Sequence, residues 1–370
     1  MKNKILLYIP FDIDGTAFNK GSSVRINNMI LAFDKFAEIN HYETIIIKGN
    51  QKKRGRELRQ IDFNSILFIY TELPNIPLLL SDPSHIPANP YVDIYLFKQS
   101  KKFNIPIGGF LRDIYWKFDD MYPLKGLKGF TMKFLHEKYL DIFARYFDVL
   151  FVPSLEMANY LKQNFNEVID LPPGGNVHKV NHIQDNRSDI LRGVYVGSLH
   201  ETSNFYELVK AIGMLKNTDN IKITVCCRKN EYDTLNKEIR ATIINNRFIE
   251  IKHLNHVELS SLYENSDFSI IPYKKNIYND FAVPVKMIEY YSYGLPILST
   301  NINEVRKFIE KNNIGVITEN YDSNSIYKGI LNIKEEINSN KYIKKDMIEQ
   351  FNTNHTWLKR VEKIRDSLVK

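Results

Sequence analysis

Cysteine is nearly absent: the chain holds two, Cys226 and Cys227, and they are adjacent. Neighbouring cysteines bridge only with strain and give no metal-ligand spacing. A disulfide framework is therefore excluded, and free thiols in a reducing compartment are the simplest account. Long apolar runs are missing as well. No stretch reaches the roughly 18 uncharged apolar residues of a membrane helix, and the run after MKNK is too short for the core of a signal peptide. The expectation is a cytoplasmic protein, at most peripheral on the inner face of the cell membrane. Charge of one sign is not in large excess: 50 basic and 43 acidic side chains leave a formal +7. The basic residues form no block, so no nucleic-acid partner is expected. The mild bias suits a phosphate-bearing ligand or an anionic membrane, and also plain solubility. The histidines show no ligand spacing on a helix, and no metal is expected.

What is present is a regular alternation of strand-like and helix-like segments over 370 residues, enough for two domains. KILLYIP opens, followed by the helical pattern NNMILAFDKFAEI, then TIIIK, ILFIY, IPIGGFL, a long helical region and VLFVPS. This is the order of a doubly wound α/β domain with a parallel sheet. A second series runs GVYVGS, NFYELVKAIGML, IKITVCC, FIEIKHL, FSIIPY, VPVKMIEYYSYG, PILST and IGVIT. Pro-Pro and Gly-Gly in LPPGGN punctuate the chain between the two series and read as a hinge. The expected division is 1–172, 173–345 and a final segment 346–370 around Trp357, whose apolar spacing says that it packs, with the first domain as a candidate surface. Two such domains leave a cleft at the carboxyl ends of their strands, where open α/β sheets bind ligands.

The most informative stretch is YNDFAVPVKMIEYYSYGLPILST. Pro284 reads as a first helical residue, where its missing N–H costs nothing. Lys286 and Glu289 are three apart and share one face near the helix N-terminus. Such a terminus binds anions, a lysine there suits a diphosphate, and a carboxylate one turn on can accept both hydroxyls of a ribose. An ordinary surface ion pair satisfies the same spacing.

PVKMIEYYSYGLPI resembles, throughout, the PxKxxEYxxxGxPI donor-site signature of GT-B glycosyltransferases, especially family GT4 and its relatives. Other landmarks follow in that family's order: NKGSSVRINNMILAF, FVPS, LPPGGN, VGSLHETSNFYELVKAI and ENSDFSIIPY. The resemblance covers nearly the whole chain. It implies the GT-B fold, two Rossmann-like domains facing across a cleft, with the acceptor in the N-terminal domain and the donor in the C-terminal one. It implies that Glu289 holds the donor ribose, and that the backbone of Phe281, Ala282 and Val283 faces the donor sugar and phosphates. The donor would be a UDP or GDP sugar, used as a substrate with no cofactor or metal. The acceptor would be a glycan or a lipid-linked glycan in bacterial surface polysaccharide synthesis, with retention of configuration as in most of GT4.

The sequence departs from the family pattern in two places. The glutamate often found eight residues before Glu289 is Phe281 here. The usual Arg and Lys that neutralise the diphosphate fall near Ser198 and Asn204, both uncharged. A leaving nucleoside diphosphate needs compensation, which assigns the task to Lys286 and to Arg228, with Lys229 behind. Arg228 follows a strand end and is expected to point into the cleft; a solvated loop charge is the plain alternative. His200, in the loop after GVYVGS, could touch the donor.

In the first domain Gly21 permits close backbone approach and Ser22 and Ser23 can cap a helix or touch a phosphate. Arg25 can face acceptor, donor or solvent. IPIGGFLRDIYW ends a strand with Arg112-Asp113, the place where GT-B enzymes often carry a His-Asp or Arg-Asp pair near the sugar. Asp113 is the candidate for acceptor orientation or general base, and Arg112 for donor contact; a capping Asp beside an ion pair is the alternative. PLKGLKGFTMKFLHEKYLDIFARYF is basic and aromatic and reads either as a helix on the domain core or as a surface for an anionic leaflet. Two other functions compete. FDIDGT resembles the nucleophile motif of haloacid-dehalogenase-type phosphatases, with Asp12 as nucleophile and Asp14 as acid, but the acidic pair Asp119-Asp120 precedes Ser154, in the wrong order. The uncharged Ser198 and Asn204 also allow a non-catalytic, nucleotide-sugar-binding or scaffold subunit of the same fold.

Overall fold

The structure of the protein, a computed structural model, describes residues 3–11, 21–178 and 189–370, with side chains described from residue 24 in the second stretch. Asp12 and Asp14 lie outside the described residues, as do the side chains of Ser22 and Ser23. The chain divides into two units, Met1–Gly174 with Trp357–Lys370, and Gly175–Thr356.

In the first unit β1 (Lys4–Ile9), β2 (Glu43–Lys48), β3 (Ile66–Glu72), β4 (Ile107–Phe110), β5 (Val149–Val152) and β6 (Val168–Asp170) form one sheet in the order β2-β1-β3-β4-β5-β6. All pairings are parallel. Parallel strands covered on both faces read as continuous apolar runs, and Ile5 to Ile9 are all buried. Helix Gly21–Asn40 buries Ile26, Met29, Phe33, Phe36 and Ala37, a spacing of three, four, three and one that keeps them on one face. Helix Trp357–Leu368 buries Trp357, Val361, Ile364 and Leu368 by the same rule and shares a core with Phe33, Phe68, Phe110 and Phe151 of this unit. The three residues of β6 are half-buried at the sheet edge.

The second unit contains β7 (Leu191–Val196), β8 (Ile221–Cys226), β9 (Ile249–Lys252), β10 (Phe268–Ile271), β11 (Ile297–Ser299) and β12 (Gly315–Ile317), in the order β12-β11-β10-β7-β8-β9. Its pairings are parallel too. Both sheets reverse their winding beside their first strand, between β1 and β3 and between β7 and β10. These are the switch points at which doubly wound sheets bind ligands, outside the carboxyl ends of the strands. Two glycines fit the chain between the units. A Cβ on Gly174 would stand 2.7 Å from the Trp357 backbone nitrogen, and one on Gly175 would stand 2.5 Å from the Phe351 ring. Cys226 and Cys227 are buried and free. Burial pushes both thiols up, Cys227 to about 12, so neither is a ready nucleophile.

Candidate functional site

In the second unit the candidate site is built on helix Val285–Ser292. Pro284 stands as its extended cap (φ −65°, ψ 128°) and Val285 is the first helical residue, one place later than the sequence implies. The ring still fixes φ at the start of the helix. Met287, Ile288, Tyr290 and Tyr291 are buried, which turns Lys286 and Glu289 together toward the half-exposed side. Gly294 closes the helix in the left-handed region at φ +67°, where a Cβ would also meet the Lys344 carbonyl at 2.6 Å.

Lys286 Nζ lies 2.6 Å from Glu289 Oε2, and both side chains are 29% exposed. A third group, which the sequence reading missed, completes the arrangement. Tyr263 donates its hydroxyl to the same carboxylate oxygen at 3.0 Å and lies 3.2 Å from Lys286 Nζ. Burial, and then the Glu289 charge, push the Tyr263 phenol far up, so it stays a donor. Tyr263 sits in the last turn of helix His256–Glu264, which Asn255 and Glu258 start with a capping box. The ion pair brings together three features of an anion and diol site: a cation, a carboxylate and a helix start. It is also a partly shielded pair, whose lysine and carboxylate neutralise each other.

Tyr290, next to Glu289, fixes the register of the helix. Its hydroxyl accepts the Val196 N–H at 2.8 Å, at the carboxyl end of β7. This bond ties the helix to the strand beside the switch point. In the loop that follows, the Ser198 carbonyl accepts the Tyr195 hydroxyl at 2.5 Å, and Ser198 Oγ accepts the His200 N–H at 3.3 Å. Asn204 is buried in the left-handed region and donates to the Tyr321 carbonyl at 2.6 Å, a local structural duty. Arg228 precedes helix Lys229–Asp233 as its cap, is three-quarters exposed, and pairs with Glu231 at 3.7 Å. It does not join Lys286 in the observed arrangement. Phe281 is buried against Tyr278, while Ala282 and Val283 are half-buried and Ala282 is extended.

In the first unit, the strand ends carry a second set of groups. Asp113 Oδ1 accepts the Tyr115 N–H at 2.9 Å. Its carboxyl lines a small pocket with Leu73, Leu111, Trp116, His136 and Tyr139. His136 stacks flat on Trp116, centroids 4.5 Å apart, and burial drives its pKa down to about 4. Arg112 reaches Glu72 at 3.8 Å, and burial lowers the pKa of its guanidinium. Arg25, left open between ligand and solvent by the sequence, is buried with its Nε donating to Glu72 Oε1 at 3.2 Å. Glu72 was missed as well, although a glutamate closing the apolar run ILFIYTE is a visible anomaly. Gly21 opens helix Gly21–Asn40 together with Ser22. Among the described residues no helix is long and apolar enough to cross a membrane.

Residues 179–350 match the family model described as glycosyl transferases group 1. No curated protein matches the chain. Among solved structures, the chain is similar to a glycosyltransferase from Rickettsia africae, with a TM-score of 0.66 and 13% identity, covering 100% of this chain and 99% of that one. It is similar to Anabaena HepE in complex with UDP, with a TM-score of 0.65 and 11% identity, covering 99% of each chain. It is also similar to sucrose-phosphate synthase from Thermosynechococcus elongatus, with a TM-score of 0.64 and 12% identity, covering 98% of each. The fold is GT-B, and the family match over the second unit supports glycosyl transfer as the reaction class.

Proposed function

We propose that the protein transfers a sugar from a nucleoside diphosphate, UDP or GDP, to a glycan or lipid-linked acceptor. The single observation that carries this reading is the Lys286–Glu289 pair, set at the start of a helix that Tyr290 ties to the end of β7. It lies within the stretch matched by the glycosyltransferase family model. The complex of Anabaena HepE with UDP supports a nucleotide as the ligand of this fold. In this reading Glu289 accepts the ribose hydroxyls, and Lys286 swings from the carboxylate to the diphosphate. Arg228, exposed and paired with Glu231, supplies the second cation. The backbone of Phe281, Ala282 and Val283, with that of Ser198, lies along the sugar and phosphates. Gly21 and Ser22 of the first unit are assigned to phosphate contact. No metal is needed for a leaving group neutralised by lysine and arginine.

Asp113 is assigned to the acceptor, as its orienting group or general base, with Arg112 as a donor contact. The GT4 likeness favours retention of configuration, whereas a base at Asp113 would give inversion; the anomer of the product decides between them. Helix Gly126–Tyr146 exposes Leu127, Phe130 and Phe134 beside Lys125 and Lys128, which supports peripheral contact with an anionic leaflet and a lipid-linked acceptor of surface polysaccharide synthesis. A second reading, binding without catalysis, is favoured by the absence of charge at Ser198 and Asn204. The test is a thermal-shift screen of the full chain against nucleotide sugars, since a ligand of the native state raises the midpoint. Stabilisation by a UDP or GDP sugar, with slow release of the nucleotide, supports the transferase. Stabilisation without any release supports the binding subunit, and no response to any nucleotide sinks both.

A further inference from the structure

The groups at the carboxyl ends of β3 and β4 do not satisfy one another. The Glu72 Oε1 atom accepts two hydrogen bonds, from Arg25 Nε at 3.2 Å and from the Tyr70 hydroxyl at 2.7 Å. Beyond these, six buried polar atoms have no hydrogen-bond partner among the described residues: Arg25 Nη1 and Nη2, Arg112 Nε and Nη2, Thr71 Oγ1 and Glu72 Oε2. Four of the six are guanidinium donors, whose burial without a partner is costly. The Arg25 guanidinium carbon lies 3.5 Å from the centre of the Phe110 ring, a cation–π contact. Arg112 stands 3.8 Å from Glu72 Oε2, too far for a hydrogen bond.

Cations outnumber carboxylates here by one, Arg25, Arg112, Arg360 and Lys363 against Glu72, Asp113 and Asp170. A third guanidinium, Arg360, is buried nearby and donates to the Pro173 carbonyl at 3.3 Å. Burial, and then the Arg25 charge, lower its pKa to about 10. The carboxylates that act on these arginines are Glu72, Asp113 and Asp170. Asp113 is engaged with the Tyr115 N–H, and Asp170 with Lys363 at 2.9 Å. The cluster lies at the switch point between β1 and β3, on the helix that follows β1 and at the end of β3. Leu73 and Leu111, the neighbours of Glu72 and Arg112, line the pocket that holds Trp116 and His136.

We propose that Arg25 and Arg112 form an oxyanion site in the first unit, which takes the acidic group of a charged sugar in the acceptor and so withdraws Arg112 from the donor. Free guanidinium edges match a carboxylate or phosphoryl group in planar, two-point fashion. A hydroxyl beside that group donates to Glu72 Oε2, which answers the one orphaned acceptor. The sugar ring occupies the adjoining pocket. This inference rests on the reading that the first unit binds the acceptor, and it makes that acceptor anionic.

The test is calorimetric titration of the full chain with three probes: glucuronate, glucose 1-phosphate and neutral glucose. Binding of at least one acidic probe, with glucose at least about tenfold weaker, is expected from the loss of charge-assisted hydrogen bonds. The stronger acidic probe tells a carboxylate from a phosphoryl source. Arg112→Gln should weaken that probe about tenfold or more, with Arg112→Lys in between, because it keeps the charge and loses the fork. Both variants are checked for folding by circular dichroism, and Arg112→Lys alone decides if Arg112→Gln does not fold. Saturating UDP should leave acidic-probe affinity within about twofold, and Glu289→Ala should weaken UDP about tenfold or more while keeping the affinity of the probe. Failure of UDP to bind wild type would count against the donor reading and leave the anion arm intact. Equal binding of glucose and the acidic probes, indifference to Arg112, or competition by UDP overturns the proposal.

Discussion

Tyr263 and Lys286 meet on one oxygen of Glu289, at 3.0 and 2.6 Å, although Tyr263 comes from a different helix. The carboxylate is thus held from two sides before any ligand arrives. Glu289→Ala removes the acceptor for a diol and leaves Lys286 without its counter-charge. UDP or GDP affinity should fall about tenfold or more, the cost of one to two charge-assisted hydrogen bonds. Titration calorimetry of wild type and variant checks it, and unchanged affinity would remove Glu289 from the donor site.

Tyr263→Phe isolates the positioning contribution. The ring stays packed against Tyr290 and Tyr293 and only the hydroxyl leaves. Glu289 keeps Lys286 as a partner but loses the bond that orients it. Nucleotide affinity should drop by about two- to tenfold, less than in Glu289→Ala, in line with about 0.5–1.5 kcal/mol for one hydrogen bond. The double variant Tyr263→Phe, Glu289→Ala should bind no worse than Glu289→Ala alone, because the two groups act as a unit. Additive losses would mean that Tyr263 acts on its own.

This pairing shows where legibility stops. The i,i+3 spacing of Lys286 and Glu289 can be read from the chain because helix geometry alone brings them together. Tyr263 is 26 residues away, and only tertiary placement of a second helix brings its hydroxyl to Glu289. Arg25 and Glu72 are 47 apart and meet by the same kind of tertiary placement. The strands were legible for a local reason: runs such as ILLYI and VLFV are buried along their length, and burial on both faces leaves a continuous apolar record. The edge strand Val168–Asp170 left no such record, being three half-buried residues beside a Pro-Pro pair. Helices Ser323–Asn338 and Lys344–Asn354 went unread because they follow the last recognised strand and bear no motif.

His136 predicts a pH dependence. Its folded pKa is lowered to about 4 from 6.5 by burial, so the folded state binds the proton less readily than the unfolded one. Its contribution is fully present above about pH 6.5 and is lost progressively as pH falls toward 4. Between pH 7.5 and pH 5 this amounts to about 2 kcal/mol. His136→Phe keeps a flat ring for Trp116 and cannot titrate. Denaturant unfolding at the two pH values should show a smaller loss in the variant by about that amount. An identical loss would place the acid sensitivity elsewhere.

Helix Trp357–Leu368 yields a prediction that separates the two units. Ile364 is fully buried in the core of the first unit with Phe33 and Phe151. Truncating it to alanine removes the side chain from a packed site that cannot fully collapse, at a cost of about 2–5 kcal/mol. Lys286, Glu289 and Tyr263, the groups proposed for the nucleotide, belong to the second unit. Ile364→Ala should therefore lower the unfolding midpoint of the first unit while leaving UDP able to stabilise the second. Scanning calorimetry with and without UDP distinguishes the two effects. A variant that keeps its midpoint would show that the last helix contributes little to the first unit's core, and one that loses UDP binding at temperatures where it is folded would show that the final helix also shapes the donor site.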